Sequence, residues 1–479
     1  MKTLLFSVLL PGFLSTLSFA ADWPRFRGPN GSGIAPDDKP VPTEWSEEKN
    51  LKWKTPLPGP GSSSPIITGD RVFVTCWTGY ATEEENRGGD PSNLKRHLIC
   101  LDRKTGKILW DQAVSAKLPE DRYGGMFAQH GYASHTPVTD GKNVYAFFGK
   151  SGVYAYDMDG KQLWQADVGS DLDRRNWGSA SSPILVEGML VVTAAPESHA
   201  MYAFDTKTGK QVWKAGADGF ESTWGTPVLA TVGQQSDIVL SVPGEIWGLN
   251  PQNGQLRWYS TGLRSDSVCN SAIVDNGIIY AMADRGGGSL AVKAGGKDDV
   301  SKSNIEWTGS NGSRIPTPIL WEGRLYWTSG TLANCRDAKT GQEVYSERLP
   351  GATELAAENN GGGGRGPSGP GGGDRGGFGG GDRDPGGPRG GGPGGGGRRG
   401  GGMGGGMTGQ DYASPVAAGG HLFQVTRRGE VLVIKLGPKF ELMGRNKFAS
   451  DHSDFSATPA ISEGQLFIRS AKVLYCVGE

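Results

Sequence analysis

One phrase recurs along the chain at intervals of about 45 residues. It holds a Ser/Thr-Pro pair, an apolar stretch, a glycine turn, a second apolar run, and then Asp-x-x-Thr-Gly-Lys-x-x-Trp. The proline falls at Pro65, Pro137, Pro183, Pro227, Pro318, Pro415 and Pro459, with Ala272 in its place in one copy. Successive intervals are 72, 46, 44, 45, 46, 97 and 44 residues, so the first and sixth copies carry insertions. The second half of the phrase is clearest at Leu101–Trp110, Tyr156–Trp164, Phe204–Trp213 and Leu249–Trp258. It ends at Trp307 in the fifth copy, at Tyr345 in the sixth, and decays in the seventh. A period of this length is one supersecondary unit repeated, and it bounds the fold before any other feature is weighed.

Each unit reads as antiparallel strands. Asp or Asn at the turn accepts backbone N–H bonds, and Gly takes the left-handed position. Apolar residues alternate on either side, as in a sheet packed on a face, and no copy shows a 3.6-residue period. A sheet of about 45 residues cannot cover both of its faces alone, and radial stacking solves this. The expected fold is all-β: an eight-bladed β-propeller of four-stranded antiparallel blades. Trp53, Trp110, Trp164, Trp213, Trp258 and Trp307 dock between neighbouring blades. The eighth copy stops at Glu479 before its Trp half. The run Asn50–Lys54, with Trp53, reads as the missing outer strand that completes the last sheet. Seven blades is the competing count.

The repeat resembles the tryptophan-docking motif of the PQQ-like eight-bladed propellers. The resemblance covers the chain from about Trp45 to Glu479, apart from a glycine-rich insertion. That family holds quinone-dependent alcohol dehydrogenases and also non-catalytic, BamB-like propellers. Asp22–Gly31 resembles the lead-in segment of exported PQQ-like proteins of planctomycete-type bacteria. For the enzymes, the resemblance implies adjacent cysteines beside the quinone, a Trp beneath it, a calcium held by Glu, Asn and Asp, and an Asp base. Calcium takes hard oxygen ligands, usually six or more, and a planar quinone takes flat apolar walls. The sequence has no Cys-Cys pair and no ordered Asp, Asn and Glu cluster at matching positions. No cofactor, catalytic residue or metal site is therefore assigned; PQQ with calcium stands as the alternative.

Residues 1–20 read as a secretory leader: Lys2, an apolar run broken by Pro11-Gly12, and Ser18-Phe19-Ala20 as the cleavage pattern. The run is too short for a spanning helix, no second one follows, and no cysteine near the cleavage point marks a lipoprotein. The expected product is exported and periplasmic or cell-surface, with a lead-in segment over 21–44 and the propeller over 45–479. Of the five cysteines, Cys100, Cys335 and Cys476 fall where other copies place Ala155, Ala203, Gly248 and Ala291. A thiol there acts as a compact hydrophobe. A disulfide between Cys76 and Cys100, on neighbouring strands, stays open at this point.

The loops entering the innermost strands line one mouth of the channel. There His135, Arg175, Trp177, Glu221, Trp224, Asp266, Asn270, Arg314 and Tyr412 are the candidate ligand-binding residues, aromatic beside charged in several blades. His130 and His135 lack a third ligand for a metal. Gly361 to Gly406 accounts for most of the glycine excess, 79 of 479 residues against a typical share of roughly 7%. Such a segment buries too little apolar surface to order itself, and it is expected as a disordered spacer inside the sixth repeat. Its Arg-Gly-Gly runs are diluted by Asp374, Asp382 and Asp384. With 49 basic against 50 acidic residues overall, no nucleic-acid partner is expected. The leading expectation is a monomeric, exported, non-catalytic scaffold that binds an envelope protein or a polysaccharide. A quinone- and calcium-dependent alcohol or sugar dehydrogenase and a carbohydrate-binding or hydrolytic propeller are the alternatives.

Overall fold

The computed structural model describes residues 22–37, 39–82, 89–123, 126–283, 287–350 and 411–479. The leader (1–20) and the glycine-rich segment (361–406) lie outside them. Eight sheets follow one another around an axis. Seven are built in chain order, beginning at Ile66–Thr68, Val138–Thr139, Ile184–Val186, Val228–Val232, Ile273–Asp275, Ile319–Trp321 and Val416–Ala418. The eighth takes Ala460–Ser462, Gln465–Arg469 and Val473–Val477, and its outer strand is Leu51–Pro56, paired antiparallel to Val473–Val477. The chain is an eight-bladed propeller, and the N-terminal strand closes the ring.

Strand position explains the burial pattern. In blade one the second strand, Arg71–Thr78, is buried at its six central positions because neighbouring blades cover both faces. The outer strand, Ile108–Ser115, alternates strictly between half-buried and exposed.

The Ser/Thr-Pro pairs form the innermost belt. Ser64 donates its backbone N–H to Thr136 Oγ1 (2.9 Å), Thr136 to Ser182 Oγ (3.0 Å) and Ser182 to Thr226 Oγ1 (3.1 Å). The chain of bonds continues from Thr226 to Ser271, Ser271 to Thr317, Thr317 to Ser414 and Ser414 to Thr458, each at 2.9 Å. All eight hydroxyl residues are buried. Buried amides need acceptors, and here each blade supplies the acceptor for its neighbour. Proline after the hydroxyl residue holds it extended and adds no further donor. Ala272 shows that the hydroxyl, not the proline, is what the belt requires.

The tryptophans form the outer seam. Trp110, Trp164, Trp213 and Trp307 each lie opposite a small residue of the third strand: Cys100, Ala155, Ala203 and Ala291. Trp53 lies opposite Cys476 in the closing sheet. Each indole N–H then reaches a carbonyl in the next blade's turn: Trp53 to Arg103, Trp110 to Met158, Trp164 to Thr206, Trp213 to Pro251 and Trp307 to Ala338, all at 2.8–2.9 Å. The ring lands on the turn glycine. A Cβ on Gly209 would lie 2.6 Å from Trp164, and on Gly341 2.5 Å from Trp307.

Trp258 departs from the pattern. Its N–H donates to Asp237 Oδ2 of its own blade (2.8 Å) and its ring covers Gly248, where a Cβ would lie 2.1 Å away. The next blade explains this. Its hairpin between Ser289–Lys293 and Ile305–Gly309 has no Asp-x-x-Thr-Gly turn, but a longer loop whose Asp298–Asp299 pairs in parallel with Trp258 and Tyr259.

The Cys76–Cys100 disulfide does not form; both thiols stay reduced. Cys100 is opposite Phe73 and Cys76 is opposite His97. An offset of three residues puts the two thiols on opposite faces of the sheet. Cys76 accordingly packs with the core between blades eight and one, and Cys100 with that between blades one and two.

The lead-in segment fills the axis. Trp23 exchanges backbone hydrogen bonds with Ile67, and the amide of Thr139 donates to Pro24 O. Arg25 donates to Pro227 O (2.7 Å). Arg27, fully buried, donates to Thr317 O, Pro415 O and Pro318 O at 2.9, 2.9 and 2.6 Å, and to Gly31 O and Ser32 O of its own loop. Burial without a carboxylate pulls Arg25 down to about 10 and Arg27 to about 9, so both remain charged at neutral pH.

Gly209 and Gly188 both sit at positive φ, but only Gly209 touches an indole; nothing lies within 4 Å of a Cβ on Gly188. Gly188→Ala should cost about 1 kcal/mol of backbone strain alone, and Gly209→Ala roughly 2–3 kcal/mol more. Urea unfolding of the two variants measures the difference; equal losses would mean that the indole does not depend on the glycine.

Candidate functional site

In an antiparallel blade, the loop into the first strand and the turn between the second and third strands emerge at the same end. Both therefore build the mouth. The candidate residues there fall into three groups rather than one rosette.

The first group joins blades three, four and five. Arg175 lies over the Trp177 ring (5.7 Å), and Trp177 meets Trp224 with centroids 5.2 Å apart. Arg175 Nη2 also donates to Asp266 O (3.2 Å), while the Trp224 N–H donates to Gly178 O (2.7 Å). Asp173 shapes this loop by accepting the amides of Arg175, Asn176 and Gly178. Phe127, on the short helix Met126–Gly131, stacks on Trp177 at 6.4 Å.

The second group lies at the other end of that helix. His130 stacks on Tyr412 with centroids 4.3 Å apart. Arg427 covers Tyr412 (5.3 Å) and pairs with Asp454, and its backbone N–H donates to Asp411 Oδ1 (2.8 Å). Burial raises the Asp411 carboxyl to about 6 and lowers the His130 imidazole to about 4. Arg314 lies close enough to Tyr412 to favour its ionised form, against the stronger effect of burial.

The third group sits beneath the surface. His135 is buried against Phe147, with Nε2 2.9 Å from Ser179 Oγ, and Ser179 Oγ donates to Glu197 Oε2 (3.4 Å). Desolvation drives His135 down to about 3 and Glu197 up to about 8, so both are neutral at pH 7. Nearby, Arg96 pairs with Glu120 and Lys150 with Asp121, each at 2.8 Å and almost fully buried. Asn270 has a structural bond instead, its Nδ2 donating to Ser313 O (2.7 Å). Glu221 is half-buried and ends a turn, its amide donating to Asp218 O.

Arg427, Lys150 and Glu197 were not foreseen because they stand on turns between second and third strands. The repeat in the sequence marks only the loops entering the first strands, and these turns carry no motif of their own.

Five acids at this end are committed within the chain: Asp454 to Arg427, Asp121 to Lys150, Glu120 to Arg96, Asp173 to its own loop amides and Glu197 to Ser179. Among the described residues no group of three or more His, Cys, Asp or Glu is arranged to hold a metal ion. Trp177 already has Trp224 and Phe127 as its aromatic neighbours. This donor set does not fit calcium beside a quinone.

These features define a PQQ-like eight-bladed propeller. A family model described as outer membrane protein assembly factor BamB matches residues 94–347, more than half of the chain, and the chain belongs to that family. The BamB of Burkholderia pseudomallei is 25% identical over 230 residues, 46% of this chain and 50% of its own length. The chain thus spans about half the length of that relative. Among solved structures, BamB from Moraxella catarrhalis superposes with a TM-score of 0.54 at 11% identity, covering 90% of this chain and 97% of its own. A europium-containing methanol dehydrogenase gives 0.59 at 10% identity, covering 96% and 98%. The quinohaemoprotein alcohol dehydrogenase of Comamonas testosteroni gives 0.60 at 11%, covering 96% and 81%. At these identities the structural likeness speaks for the fold alone. No helix among the described residues is long and apolar enough to cross a membrane.

Glu197 generates a pH dependence. Its folded pKa of about 8 lies above that of an unfolded glutamate, so the folded state binds the extra proton and stability falls as pH rises between those values. His135, with a folded pKa of about 3, acts in the opposite sense and only below about 6.5. Between pH 6.5 and 8 the protein should therefore lose on the order of 1–2 kcal/mol, and Glu197→Gln should flatten that slope. Urea midpoints across this range measure it; an unchanged slope in the variant would remove Glu197 as its source.

Proposed function

We propose that this protein is an exported, non-catalytic propeller that docks another protein of the cell envelope through the mouth face. The observation that carries the reading is the commitment of five mouth acids, Asp454, Asp121, Glu120, Asp173 and Glu197, to internal partners. It leaves a half-exposed Arg175–Trp177–Trp224 cluster with the composition of a binding hot spot and, among the described residues, no group of three or more His, Cys, Asp or Glu arranged to hold a metal ion. The BamB relatives, described as outer-membrane assembly factors, support an envelope role, and the leader-like residues 1–20 support export. A polysaccharide ligand is the second reading, favoured by the neighbouring indoles of Trp177 and Trp224, which offer flat faces to sugar rings. The chain is proposed to act as a monomer.

The test places a photo-crosslinker at Asp266, beside the cluster, in the native host. An adduct with one envelope protein is expected. The double substitution Trp177→Ala/Trp224→Ala should weaken binding of that purified partner at least 100-fold without unfolding the ring. Retained affinity in the double variant, or dye-linked alcohol or sugar oxidation that requires added PQQ and calcium, would overturn the reading.

A further inference from the structure

Arg469 ends the second strand of blade eight at the mouth end of the ring, and it is completely buried. Its Nη1 donates to Ser63 O (2.9 Å) and Ser63 Oγ (2.5 Å). Its Nε and Nη2 have no hydrogen-bond partner among the described residues. Of the other buried arginines, Arg27 meets carbonyls with every nitrogen and Arg96 meets Glu120, while Arg25 and Arg336 each leave only Nε without a partner among the described residues. Arg469 has neither a carbonyl set nor a carboxylate. Its charge persists at neutral pH, since burial lowers its pKa only to about 10.

The unpartnered atoms share one edge of the guanidinium. Nε–H and the adjacent Nη2–H point in parallel, at the spacing of two oxygens on one carbon. The wall beside Nη2 is backbone: a Cβ on Gly61 would lie 2.3 Å from it. The neighbouring Cys76 thiol is held protonated by burial and brings no negative charge.

We propose that the Nε/Nη2 edge of Arg469 is a binding site for a small carboxylate-type anion of formate or acetate size. The planar fork selects two coplanar oxygens over a spherical ion, and complete burial limits the ligand to a few heavy atoms. The site is independent of the docking face proposed above.

The full-length protein is titrated with ¹³C-formate by NMR and with sodium formate by thermal unfolding, against sodium chloride at equal ionic strength. Formate should broaden its own line and raise the melting temperature saturably by about 2–4 °C, with chloride giving no comparable rise. Arg469→Lys, which keeps the charge and loses the fork, should weaken formate binding at least tenfold, and Arg469→Met should abolish it. If Arg469→Met does not fold, the wild-type titration and Arg469→Lys still decide. An absent response in the wild type, an equal response to chloride, or undiminished formate binding in Arg469→Lys would each overturn the assignment.

Discussion

The ring depends on one backbone N–H passed from blade to blade into a neighbour's hydroxyl. Between Ser64 and Thr458 the step is made seven times at 2.9–3.1 Å. The bond lies nearest the axis, where strands converge and water is excluded, so an amide left without it would cost about 1–3 kcal/mol. The indole-on-glycine contact repeats the same logic at the rim. Two contacts at two radii fix the angle between blades and leave the loops free. The 97-residue interval between Pro318 and Pro415 accordingly leaves the Thr317–Ser414 bond at 2.9 Å.

Much of this was legible because it is periodic. Trp53 announced the closing strand, as it carries the rim residue of a sheet whose own copy stops short. The features that stayed hidden are aperiodic or three-dimensional. Trp258 matches the repeat at its own position, and its divergence is decided by the loop of the following blade, whose Gly295 and Gly296 do not lie under the indole. The Cys76–Cys100 pairing failed on register, which neighbouring positions in sequence do not reveal. The mouth was only half read: Arg427 and Glu197 lie on turns with no motif of their own, and only strand direction brings them to the same end as Tyr412 and His135. In the hydroxyl belt the proline is the conspicuous residue of each pair, while the Ser or Thr before it makes the bond.

The buried charges divide by partner type. Arg96–Glu120 and Lys150–Asp121 are ion pairs that brace the mouth around blades one and two. Removing one member of such a pair costs far more than the pair itself contributes, because the other is left charged and dry. Arg25 and Arg27 use backbone carbonyls instead, which supply partial negative charge without adding an acid to the axis. At the mouth, His135 and Glu197 resolve the same difficulty by being neutral.

The carbonyls that Arg27 grips come from blades six and seven, while Arg25 takes one from blade four and Trp23 and Pro24 meet blades one and two. One short stretch of chain thus samples most of the circumference at once. A ring of seven or nine sheets would offer those oxygens at different angles and distances, and the guanidinium would find fewer of them. The lead-in segment therefore works as a gauge of blade number: it seats fully only in an octagonal barrel of the correct girth, and so couples the ordering of residues 22–35 to completed assembly of the whole circle.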